Sequence, residues 1–191
     1  MKMISHIFLS SVLLLLLAVP ASAVNRVEVE GVAFERAVTA NGKPLELQGY
    51  GLLRYMVFIK AYVGALYLPP SAAAGDVLKP VAKRLELQYF HAIKKEEFAN
   101  ATRIKIADNV SAEQARRLGS LIDQLASMYR DVRPGDRYGL TFIPGRGTEL
   151  ALNDTVLGVV PGNDFARAIF SVWLGQNPID VDFRNVLLGA R

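Results

Sequence analysis

Cysteine is missing from all 191 residues, which excludes disulfide bonds, zinc–thiolate and iron–sulfur sites and any thiol nucleophile. Histidine is almost missing: there are two, and His6 lies in the N-terminal segment. With His91 left alone, no histidine-based metal cluster can form, and no metal site is expected. No Gly-x-Ser-x-Gly elbow surrounds any serine, and Gly49-Tyr50-Gly51 lacks the third glycine of a dinucleotide-binding turn. Aspartate and glutamate are scattered, with no pair that converges on one site. Charge of one sign is never concentrated: Lys94-Lys95 runs straight into Glu96-Glu97, and Arg116-Arg117 follows Glu113. Such mixing gives a solvated surface and argues against a nucleic-acid partner, despite the net charge of +4.

No segment beyond the start is long and apolar enough to cross a membrane. Met1-Lys2 precedes an uncharged stretch from Ile7 to Val19 with five consecutive leucines, then Pro20-Ala21-Ser22-Ala23. A basic start, a short apolar core and small residues at an Ala-x-Ala site describe a secretory leader. The stretch falls short of the roughly 18–20 residues that span a bilayer. Cleavage is expected after Ala23, leaving residues 24–191 as one domain in the periplasm or secreted, with no stable membrane insertion. Removing the leader takes away only Lys2, so the mature chain carries about +3.

The first half of the remainder reads as strands. Asn41-Gly42 is a hairpin signal between Val32–Thr39 and Pro44–Gln48. Met56–Leu68 is apolar on both parities, as in a central strand covered on both sides. Arg84–His91 alternates, with Leu85, Leu87, Tyr89 and His91 on one face. Helices are expected over Lys94–Ile106, with Phe98 and Lys105 on a shared side, and over Ala112–Arg130, where Ser111 and Gln114 form a capping box. Arg137–Ile143, Glu149–Leu152 and Val156–Val159 read as short strands. Asn163 and Asp180 are candidate caps for two closing helices, the first carrying Phe165, Phe170 and Trp173 as a core stripe. Without a βαβ rhythm, the expected class is α+β with an antiparallel sheet.

The most distinctive stretch is Gly49-Tyr50-Gly51-Leu52-Leu53-Arg54, which leads directly into Tyr55–Leu68. Arg54 stays charged wherever the strand places it. It reads either as a rim residue facing water or as an anchor for a carboxylate or enolate oxygen. Arg54, Lys60 and Tyr62 share one parity, and an unbroken strand puts them on one face. Eight strand residues cover roughly 26 Å, however, so Arg54 and Tyr62 share a ligand only if the chain reverses between Arg54 and Phe58. Lys60 reads as a rim charge. His91 reads as a core-edge or loop residue, with haem ligand or general base as the alternative.

Taken with Leu85–Lys105, Asp164-Phe165-Ala166, Trp173-Leu174-Gly175 and Pro178, the stretch Gly49–Leu68 resembles the chalcone isomerase fold family, in its bacterial, leader-bearing branch. The resemblance covers most of the mature chain. It implies a large antiparallel sheet with helices packed on one face, a ligand cleft between them, and a hairpin after the arginine. In the plant enzymes the arginine binds the substrate oxygen, helped by a threonine on the next strand and a tyrosine and an asparagine on the next helix. Arg54 matches the arginine, whereas Tyr62, Phe98 and Lys105 stand at the other three positions. The resemblance therefore implies that the isomerase hydrogen bonds are missing. An arginine with a tyrosine on the strand is similar to the fatty-acid-binding members, and a mitochondrial branch is associated with haem.

The first expectation is a binding protein for a fatty acid or similar apolar carboxylate, with Arg54, Tyr62, Lys60, Phe98 and Lys105 at the site and no cofactor. Arg54 and Tyr62 would hold the carboxylate, and each buried methylene of the tail would contribute roughly 0.8 kcal/mol. The alternatives are an isomerase or lyase acting on an unsaturated carbonyl compound with Arg54 stabilising an enolate, a haem or tetrapyrrole binder, and a non-catalytic scaffold.

Overall fold

The computed structural model describes residues 25–56 and 58–190. The leader expected over residues 1–23 lies outside them. The chain opens with a small hairpin, β1 (Arg26–Val29) and β2 (Val32–Glu35). Seven further strands follow in an all-antiparallel meander: β3 (Ala37–Ala40), β4 (Lys43–Tyr55), β5 (Ile59–Leu68), β6 (Lys83–Tyr89), β7 (Arg137–Ile143), β8 (Gly147–Leu152) and β9 (Thr155–Val160). Between β6 and β7 come α1 (Lys95–Ala107), α2 (Ala112–Arg117) and α3 (Gly119–Met128). α4 (Asn163–Leu174) and α5 (Val181–Leu187) close the chain. No helix among the described residues is long and apolar enough to cross a membrane.

The expected α+β class with a large antiparallel sheet is the one observed. The two faces of the sheet have different covers. Leu53, Tyr62, Leu66, Leu85, Leu87 and Tyr89 pack under the helices with Ile122, Leu125, Phe165 and Ile169. Val63, Ala65 and Tyr67 point the other way and pack with Val27, Val32 and Phe34 of the β1–β2 hairpin. Both parities of β5 are therefore buried, which is why this segment reads as a continuous apolar run.

Four local expectations change. The apolar run does not begin as a strand at Met56, because β4 continues to Tyr55 and the chain reverses before β5 starts at Ile59. Val32–Thr39 is not one strand: it bends at Arg36 and serves two sheets. The long helix is divided at Leu118, ahead of the poor helix former Gly119, although Ser111 and Gln114 do form the capping box. Asn163 is the first residue of α4 and not its cap, since Gly162 holds that position at φ 102°. Asp180 does cap α5, its Oδ1 accepting from Phe183 N at 2.7 Å.

Asn41-Gly42 makes the expected tight turn, both residues at positive φ (49° and 74°), between Ala40 and Lys43. Gly49 has a different reason to be glycine. Helix α5 lies so close to β4 that a Cβ there would collide with the Val186 carbonyl oxygen. At Gly64 a Cβ would sit 2.8 Å from both Leu87 and Phe183. Glycine thus lets α5 press its backbone and Phe183 directly onto the sheet.

Candidate functional site

Between the sheet and the helices lies a cavity of about 230 Å³. Its floor comes from the inward parity of β6, β7 and β8, where Leu85, Leu140 and Leu150 stand on cross-strand partners. One β-step along β6 the wall changes character. Leu87 is followed by Tyr89, which is paired across the strands with Tyr62 of β5, and Leu87 itself is paired with Tyr138 of β7. Helix α1 adds Phe98 and Thr102 from above, the end of α3 adds Tyr129, and α4 adds Val172 and Trp173. The cavity is apolar at its leucine end and phenolic at the other.

The aromatic rings brace one another around Phe98. Its centroid lies 5.2 Å from Tyr89, 5.3 Å from Tyr138 and 5.5 Å from Tyr129, with the first two contacts edge-on. Tyr62 stands 5.5 Å from Tyr89 and, edge-on, 5.5 Å from Phe183. Such offset and edge-to-face packing stabilises each pair by roughly 0.5–1.5 kcal/mol beyond area burial.

Two of the four hydroxyls are committed to structure. Tyr138 donates to the Arg130 carbonyl at 2.8 Å and accepts from the Arg130 N–H at 2.7 Å, while Tyr129 shares a 2.9 Å hydrogen bond with Thr102. The other two keep bonding capacity. Trp173 Nε1 donates to Tyr62 Oη at 3.1 Å, so the hydrogen of that phenol is unused, and Tyr89 Oη has no partner among the described residues. Burial pushes all four phenols upward, Tyr129 to about 12. They are neutral donors at physiological pH, and among the described residues no cation lines the cavity beside them. Glu97 stands at the exposed rim with Ala101 and Ile179.

The structure divides the residues singled out in the sequence. Tyr62 and Phe98 line the cavity. Arg54 does not. A register shift between Leu53 and Arg54 pairs Leu53 with Tyr62 but Arg54 with Lys60, leaving Ala61 as an extra residue on β5. On β4, Arg54 alternates away from Leu53 and therefore from Tyr62, and on β5 the bulge reverses parity and turns Lys60 to the side of Arg54. Arg54 and Lys60 thus emerge together on the face opposite Tyr62, both half-exposed, and reach the same carboxylate: Arg54 Nη2 lies 3.6 Å and Lys60 Nζ 2.5 Å from the two oxygens of Glu30. Lys60's hydrogen bond, with Arg54 adding its charge, holds the Glu30 carboxyl below its usual range. Lys105, in the last turn of α1, pairs with Asp108 at 3.1 Å and faces a shallow surface depression beside Gln176 and Asn177. His91 is exposed just past the end of β6. The chain does reverse after Arg54, but the single face expected for Arg54, Lys60 and Tyr62 is not formed: pairing of Leu53 with Tyr62 turns Arg54 away, and the bulge turns Lys60 away with it.

Sequence reasoning placed Tyr89 on the apolar face of its strand and Trp173 in a core stripe without marking either as part of a site. The available signal was the concentration of phenols at inward positions, since four of the seven tyrosines line one cavity. Among the described residues, no group of three or more histidine, aspartate or glutamate side chains is placed to hold a metal ion.

No curated protein matches the sequence. Among solved structures, the chain is similar to the crystal structure of a fatty-acid binding protein from Arabidopsis thaliana, with a TM-score of 0.69 over 85% of this chain and 95% of that one. At 16% identity that likeness establishes the fold alone. The sequence itself matches the chalcone isomerase-like family over residues 26–189, nearly the whole of the described chain. With the meander, the helical cover and the cleft between them in place, the chain belongs to the chalcone isomerase-like family.

Proposed function

We propose that this protein is an exported binding protein that takes an apolar carboxylic acid, a fatty acid or a compound like it, into the cavity between sheet and helices. The observation that carries the reading is the cavity itself, which is apolar at its leucine end and has two underused phenol hydroxyls at the other. The tail lies against Leu85, Leu140 and Leu150, and the head group meets Tyr62 and Tyr89. The fatty-acid binding protein of the same fold supports the choice of ligand class. Size narrows it further. An engineered cavity of about 150 Å³ holds benzene, and drug-sized ligands take roughly 300 Å³ or more. The 230 Å³ found here suits a medium acyl chain or one substituted ring.

On this reading the head group is recognised by neutral donors, and Tyr62 keeps the role expected of it while Arg54 does not. Phenols in a low-dielectric pocket hydrogen-bond a protonated acid or a carbonyl as readily as they hold a carboxylate. The alternative, chemistry on an unsaturated carbonyl compound, would then use Tyr62 and Tyr89 at the carbonyl oxygen.

The test is native followed by denaturing mass spectrometry of the protein purified after export under its own leader. A mature mass beginning at Val24 and a stoichiometric acid that dissociates on denaturation are the expected results. Leu150→Trp, which fills the leucine end, should abolish retention. Tyr62→Phe with Tyr89→Phe should weaken binding of the acid about ten-fold, while binding of a hydrocarbon of equal length changes little. An apo mass, with no uptake of added medium-chain acids, would sink the reading. Turnover of an enone above its spontaneous rate would favour the enzymatic alternative.

A further inference from the structure

The hairpin that carries Arg54 ends in a cluster of exposed apolar side chains. Tyr55 is 61%, Met56 69%, Phe58 88% and Ile59 44% exposed, all within five consecutive residues. Single exposed apolar residues are ordinary, but a contiguous set on one projecting tip marks an interaction site. Met56 is held in the left-handed region at φ 48°, and the Phe58 N–H donates to its carbonyl at 2.7 Å. Directly behind them stand Arg54 and Lys60, paired across the two strands. They share the one carboxylate of Glu30, which leaves a net positive charge at the neck of the tip.

We infer that the β4–β5 hairpin tip docks this protein onto an anionic lipid surface, with Met56 and Phe58 entering the acyl boundary and Arg54 and Lys60 meeting the phosphates. The order of chemistry along the hairpin fits the layers of a bilayer: apolar side chains first, a phenol at Tyr55, then long basic side chains at headgroup depth. The shape favours lipid over protein. A stable protein interface covers about 800 Å² on each partner, and a two-stranded convex tip offers neither that area nor a groove. A bilayer needs only insertion of a few side chains. The arrangement also serves the cavity. Tyr62, which lines it, lies three residues from Ile59, about 10 Å along the strand. In docking, the tip would bring the phenolic wall of the cavity near the surface from which an apolar acid leaves or to which it returns. That last point rests on the proposed function, whereas the docking itself does not.

Co-sedimentation of the mature protein with vesicles of phosphatidylcholine, with and without phosphatidylglycerol, tests the inference. Binding to the anionic vesicles is expected. Phe58→Ser with Met56→Ser should reduce it about ten-fold or more, and Arg54→Ala or Lys60→Ala about five-fold each, with the loss reproduced in wild type by added salt. These side chains are exposed, so circular dichroism should show unchanged folding. Phe58→Trp keeps the tip apolar and adds a reporter, whose emission should shift to the blue on anionic vesicles against the Trp173 background of wild type. Absence of vesicle binding, binding that survives Phe58→Ser with Met56→Ser, or a tip-dependent dimer without vesicle binding would each overturn the inference. Ligand retention measured by native mass on the same variants reports on the cavity separately, so the two readings fail by different signals.

Discussion

Lys83 shows how one residue can oppose the fold that contains it. Its side chain is buried at the end of the helix-covered core, 1% exposed, and among the described residues it donates a single hydrogen bond, to the Lys79 carbonyl at 2.8 Å. The rings of Phe142 and Phe170 face its ammonium at 4.6 and 5.3 Å. Desolvation pushes the amine down to about 8. A lysine whose folded-state value is depressed is held deprotonated more readily in the native state than in the unfolded one. Below pH 8 both states carry the proton and the burial penalty is present in full. Between about 8 and 10.5 the unfolded chain binds more protons, so stability rises with pH across that window. The penalty is at most about 3 kcal/mol, and the two aromatic faces and the carbonyl offset part of it. Lys83→Met is therefore expected to be more stable than wild type at pH 7, with the gap closing by pH 10.5. Parallel urea midpoints for the two proteins across that range would contradict this account.

At the scale of elements, the same substitution should have opposite signs at two glycines. Gly49 sits where α5 meets β4, and an added methyl would strike the backbone of Val186 and Leu187. Backbone cannot swing aside, so Gly49→Ala should cost about 2–4 kcal/mol and loosen α5, read as a lower urea midpoint. Gly119 begins α3 with no atom near the position of its missing methyl. Gly119→Ala should stabilise by about 0.5–1 kcal/mol, since alanine is the better helix former and the unfolded chain loses freedom. A shared sign for the two variants would refute the packing argument. The β-bulge at Ala61 acts at the same scale: one extra residue moves Lys60 from the face of Tyr62 to that of Arg54, leaving a phenol in the core and a pair of cations at a surface tip.

The described chain is a sheet with two unlike covers, a small hairpin on one face and the helices and a cavity on the other. Without a disulfide, its stability depends on how well those layers pack, and under the proposed function a ligand in the cavity would add to that packing. A ligand at one hundred times its dissociation constant adds about 2.7 kcal/mol, which for a domain of this size raises Tm by roughly 5–10 °C. Thermal unfolding with and without a medium-chain acid should show that rise in wild type and none in Leu150→Trp. An equal shift in both would place the ligand somewhere other than the cavity.

Composition and periodicity by themselves determined the α+β class, the position of most strands, the capping box at Ser111 and the cap at Asp180. Each depends on residues close in sequence, and local geometry is nearly the same wherever such residues occur. They also placed Leu85, Leu87 and Tyr89 on one face, because a strand alternates strictly. Tertiary structure alone decided the site. The β4–β5 register that turns Arg54 away from Tyr62, and the bulge that turns Lys60 away, leave no sequence mark, since Ala61 is neither glycine nor proline and the shift exists only relative to β4. The phenol cluster joins Tyr62, Tyr89, Tyr129 and Tyr138, which come from β5, β6, the end of α3 and β7 and are brought together only when the helices close over the sheet. A pattern along the chain can say which way a side chain faces; which other side chains it meets depends on pairing register and on the packing of layers distant in sequence.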